Sequence, residues 1–116
     1  MTDVTDVYDA DSEDAAAQPD WPSKIYEVFN PEGTVGVACN RDGEIVGLHL
    51  TDDARDEGDT WLAGEIVRLG KLAHLKSRVG LRAEMMDNGT GAHTIDAFDL
   101  PTENSYRQAE RSEFGQ

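Results

Sequence analysis

Asn30-Pro31-Glu32-Gly33 and Asn40-Arg41-Asp42-Gly43 stand ten residues apart, and each runs Asn, a variable residue, an acid, then Gly. Three short runs flank them: KIYEVF (24–29), TVGVAC (34–39) and EIVGLHL (44–50). Their Val, Ile, Tyr and Phe residues favour pleated, half-buried backbone. In the first quartet Pro31 presets φ for the second position of a tight turn, and Gly33 is free to take the left-handed conformation that follows; Gly43 does the same in the second. The quartets therefore read as hairpin loops built around a type I turn. A metal loop needs several oxygen ligands at loop spacing, and each quartet offers at most two carboxyl or amide groups. The repeat dictates a three-stranded antiparallel meander.

Strand alternation puts Val35, Val37 and Cys39 on one face, with a matching set of Val46, Leu48 and Leu50. Gly36, Ala38 and Gly47 fall on the opposite face, which is expected to be flat and nearly bare. Cys39, the only cysteine, reads as a small core residue, since no histidine spacing singles out a base for it. His49, His74 and His93 are scattered, and no nucleophile elbow, phosphate loop or dinucleotide fingerprint is present. The reading is a non-enzymatic chain with no metal or cofactor.

An acidic linker, TDDARDEGDT (51–60), ends in Asp59 and Thr60, either of which can cap a helix. Residues 61–86 then follow helical periodicity, with Trp61, Leu62, Ile66, Leu69, Leu72, Ala73, Val79 and Ala83 on one side, expected to cover the sheet. The fold class is α+β: a three-stranded antiparallel meander followed by one long amphipathic helix. Gly64, Gly70 and Gly80 each weaken that helix by about 1 kcal/mol relative to Ala, so it depends on packing. With so small a core, a homodimer is expected. Its interface is expected on the Gly36, Ala38 and Gly47 face, or at the Trp61 end of the helix with Leu62 and Ile66.

Charge sets the partners. The net charge is −14, from 24 acids against 10 bases, which argues against nucleic acid and anionic membranes, since both are held through Lys and Arg. Residues 1–20 carry seven acids and no base, so 1–22 read as a disordered acidic tail, 23–87 as the core domain, and 88–116 as a flexible tail with room for a short helix. No apolar leader region and no run long enough to span a membrane is found, so a soluble cytoplasmic chain is expected. Against this acidic background Arg68, Lys71, Arg78 and Arg82 fall within about 80° of one helix sector. They read either as a solvated flank or as a docking strip for an acidic partner, and their reversal to Glu is expected to leave the fold intact.

The ordered set Asn30-Pro31-x-Gly33-Thr34-Val35-x-Val37, Asp42-Gly43-x-Ile45, Leu50-Thr51 and Leu62-Ala63-x-Glu65-Ile66 resembles the EspD/EspH family of actinobacterial ESX (type VII) secretion-associated proteins. The likeness covers about half the chain, and Asp99-Leu100-Pro101-Thr102-Glu103 matches the family's C-terminal Leu-Pro motif in shortened form. The family's core is in turn similar to the YbaB/EbfC fold. The resemblance implies a secretion accessory or chaperone-like adaptor that stabilises or escorts secreted client proteins, to which the basic stripe adds the expectation of an acidic client; the alternative it carries is a nucleoid-associated DNA binder. Tyr106 and Glu110 match the Tyr-x-x-x-acid element of type VII export signals, which keeps secretion through ESX as the alternative location.

Overall fold

The computed structural model describes residues 20–115; the stretch read as an acidic tail lies, up to residue 19, outside the described residues. The meander is present as β1 (Ile25–Phe29), β2 (Val35–Asn40) and β3 (Ile45–Leu50), in that order across one antiparallel sheet. Val28 pairs with Val37 and Val37 with Leu48, so these three share a face. A register shift between Ala38 and Cys39 brings Ile45 opposite Cys39. Both quartets are turns: the amide of Gly33 donates to the carbonyl of Asn30 at 2.9 Å, and that of Gly43 to Asn40 at 3.0 Å. Gly33 and Gly43 have φ of +74° and +85°, the left-handed region in which glycine has no Cβ penalty.

Two helices follow the sheet, a short α1 (Asp52–Asp56) and a long α2 (Asp59–Asp87). Thr51 caps α1 by accepting from the amide of Ala54, so the linker is itself partly helical. Neither Asp59 nor Thr60 caps α2; Gly58, with φ +99°, occupies that position. α2 packs on β1 and β2 and scarcely reaches β3. Its sheet-facing stripe is Glu65, Leu69, Leu72, Ala73, Ser77, Gly80 and Glu84, all buried. This is rotated from the apolar side expected above: Trp61 and Ala83 are exposed, while Leu62, Ile66 and Val79 are only partly buried. Gly80 is where the helix meets Tyr26, whose phenol ring lies against the glycine Cα and leaves no room for a Cβ.

The ends of the domain also differ from expectation. Trp21–Ser23 form a 3-10 turn, and the Trp21 indole donates to Asp87 at 3.0 Å, so the core begins before residue 23. The region read as a flexible tail with room for a short helix carries two, α3 (Ala92–Ala97) and α4 (Glu103–Phe114), both packed on α2. α4 starts with a capping box, in which Thr102 accepts from the amide of Ser105 and the Ser105 hydroxyl from that of Thr102. Its Tyr106 is buried in the core, and burial, helped by Glu110 and Glu103, pushes its phenol pKa up to about 12.

Two glycines of α2 should respond oppositely to the same substitution. Gly80→Ala drives a methyl into Tyr26 and is expected to cost about 2 kcal/mol. Gly64→Ala, with no atom near its missing Cβ, is expected to stabilise by up to about 1 kcal/mol through helix propensity. Urea denaturation of the two variants measures both signs.

Candidate functional site

The placement of α2 is fixed by polar contacts at each end. At its N-terminal end the Asn30 amide donates to the Glu65 carboxylate at 3.1 Å and to the Thr34 hydroxyl at 3.0 Å. The Asn30 side-chain oxygen accepts from the amides of Thr34 and Val35, at 2.8 and 3.1 Å. Glu65, buried, is neutralised by Arg68 one turn on, whose guanidinium also donates to the carbonyl of Glu113 at 3.0 Å and stacks over the Phe114 ring. Toward the C-terminal end Arg41 grips Glu84 through two nitrogens, one at 2.9 Å. That hydrogen bond holds the Glu84 carboxyl below the usual carboxylate range despite its burial.

Pinned in this way, α2 leaves one side of the sheet's inner face open. Val37 is fully buried, but Leu48, its neighbour on the same face, is 53% exposed, and Ile45 is 60% exposed. Between Ile45 and the helix runs an open groove of about 490 Å³. Ile45 forms one wall, Cys39 lies at its base, and Ile66, Val67, Gly70, Lys71 and His74 line the helix side. Val67 is 58% exposed there. The His74 Nδ1 lies 3.2 Å from the carbonyl of Gly43, which ties the helix to the second turn. Burial raises the pKa of the Cys39 thiol, which keeps it protonated at neutral pH. The groove thus offers apolar contact and one ammonium. Among the described residues no group of His, Cys, Asp and Glu side chains could hold a metal ion.

The expected basic stripe does not stand free. Arg68 serves Glu65 and the C-terminal helix; Arg78 donates to the carbonyl of Arg41 at 2.6 Å; Arg82 donates to the carbonyl of Leu100 at 3.4 Å and lies 3.8 Å from Asp96. Only Lys71 of the four is exposed, on the groove wall. The opposite sheet face is not bare either. The Phe29 ring lies over Gly36, 2.6 Å from where a Cβ would sit, and meets His49 edge-on at 5.5 Å between centroids. Gly36 and Ala38 are buried and Gly47 partly so. Tyr106 of the export-like element faces the core.

The fold and groove define a two-layer α+β module with one strand left uncovered, and no helix among the described residues is long and apolar enough to cross a membrane. Over 65 residues the chain is 35% identical to the ESX-1 secretion-associated protein EspH of Mycobacterium tuberculosis (strain ATCC 25618 / H37Rv); the matched stretch is 56% of this chain and 36% of that protein. The chain thus spans about a third of the length of that relative. No family model matches the chain, and no solved structure matches it.

The arginines should therefore behave as structural residues. Arg68→Ala leaves a buried carboxylate short of its cation and is expected to cost about 1–3 kcal/mol. Lys71→Ala is expected to stay within about 0.5 kcal/mol of the parent. Chemical denaturation distinguishes the two; equal, negligible effects would return Arg68 to the role of a solvated flank.

Proposed function

We propose that this chain is a non-enzymatic accessory of type VII secretion that binds and stabilises an exported client protein. One observation carries the reading: in a chain similar to a secretion-associated protein, the inner face of the sheet is left open beside β3. Apolar side chains exposed together rather than scattered mark a surface that another molecule covers. Ile45, Ile66 and Val67 supply the apolar contact, and Gly70 lets a partner approach the helix backbone closely. Lys71 favours a partner with an acidic residue at the groove rim, so the client preference read from the basic stripe rests here on one ammonium. A homodimer is the assembly this reading favours. Nothing in the structure favours a DNA-binding role, because three of the four stripe cations are engaged within the chain and its net charge is −14.

Tagged full-length chain, recovered from its native host, is expected to retain a protein that the host exports through its type VII system. Val67→Glu and Ile45→Lys each place a charge in the groove at an exposed position and are expected to lower that retention on the order of tenfold without unfolding the chain. Retention equal to wild type by both folded variants, or retained proteins unrelated to export, would contradict the proposal.

A further inference from the structure

The two edges of the sheet are treated differently. In antiparallel pairing, residues alternate between those bonded to the neighbouring strand and those whose backbone groups point away from it. Asn30 donates to Val35 across β1 and β2, so Val28 and Tyr26 are bonded inward and Glu27 points its backbone groups to the free edge. That edge is guarded. Lys76 donates to the outward carbonyl of Glu27 at 3.0 Å, and the strand carries Glu27 and is preceded by Lys24.

β3 has no such protection. Thr51 donates to Thr34, so His49 and Gly47 are bonded to β2, while the amides and carbonyls of Leu48 and Leu50 point outward. Among the described residues no side chain bonds to them. The strand, Ile45–Leu50, contains neither a charged residue nor proline, the usual devices that keep an edge from pairing. Its register shift falls at the Ile45 end and leaves Gly47–Leu50 regular.

We infer that β3 pairs antiparallel with β3 of a second copy of this chain about a two-fold axis, giving one six-stranded sheet. A second copy fits better than a foreign strand for a geometric reason. Self-pairing satisfies both unguarded edges at once and leaves only the guarded β1 edges at the outside, whereas an added foreign strand creates a new free edge. It also brings the exposed Leu48 side chains of both copies together on one face. This interface differs from those expected from the sequence, the Gly36 face and the Trp61 end. In such a dimer the two grooves lie side by side over the paired strands, which deepens the client reading without depending on it.

Light scattering on the full chain at micromolar and higher concentrations is expected to give twice the 12.7 kDa mass of one chain. In the same sample the Leu48 and Leu50 amides are expected to exchange slowly with deuterium, although no strand of their own chain accepts them. Leu48→Lys, at an exposed position, is expected to halve the mass while the circular dichroism spectrum is unchanged. A one-chain mass for wild type overturns the inference, as does a dimer whose Leu48 and Leu50 amides exchange as fast as exposed loop amides. The exchange measurement needs no variant, so a misfolded Leu48→Lys leaves the test intact. Val67→Glu, on the helix wall, is expected to lose the client but keep the dimer mass, which separates failure of the one proposal from failure of the other.

Discussion

The hydrogen bond from Asn30 to Glu65 is the contact on which the arrangement turns. A carboxylate out of water is costly unless its oxygens are met by donors and its charge by a cation, and Glu65 has both in Asn30 and Arg68. Each partner is committed elsewhere as well. Asn30 closes the first hairpin turn through Thr34 and Val35, and Arg68 holds the last turn of α4 through Glu113 and Phe114. One buried anion thereby links the first hairpin, the long helix and the C-terminal helix. Among the described residues only the Arg68 Nε of this network is buried without a hydrogen-bond partner, and such networks specify one docking geometry more than they add stability.

The second pin, Arg41 on Glu84, lies roughly 28 Å further along the helix axis. With one end held to Asn30 in the β1–β2 turn and the other to Arg41 in the β2–β3 turn, the helix cannot slide sideways to centre itself on the sheet. Tyr26 against Gly80 sets the depth of contact between the two pins. The open inner face beside β3 is therefore a consequence of polar placement, not of a shortage of apolar residues: Ile45, Leu48 and Val67 are present and exposed.

That distinction explains what could be read from the residues. The meander was legible because two turn quartets and β-branched runs act locally, within a few residues of one another. The helix was legible from its period, but not its rotation. A hydrophobic wheel counts Trp61 and Ala83 as buried and passes over Glu65 and Glu84, which share that sector but are polar; the two acids occupy the inside through partners more than thirty residues distant in sequence. The arginines misled in the same way: their clustering is real, yet their heads reach back to carbonyls and a carboxylate of the chain itself. The Thr102 and Ser105 capping box was a local signal for the C-terminal helix that the polar composition after Asn88 obscured. Phe29 folding over Gly36 had no local signal, because it joins two strands across a sheet.

Methyl-detected NMR of the chain, titrated with the exported protein it retains, tests the central claim most directly. The groove account predicts that the methyl signals of Ile45, Ile66 and Val67 shift on complex formation, while Ile25 on the outer sheet face and the buried Ile95 of α3 stay in place. A complex that forms with the three groove methyls unmoved, and with Ile25 or Ile95 shifting instead, would contradict it.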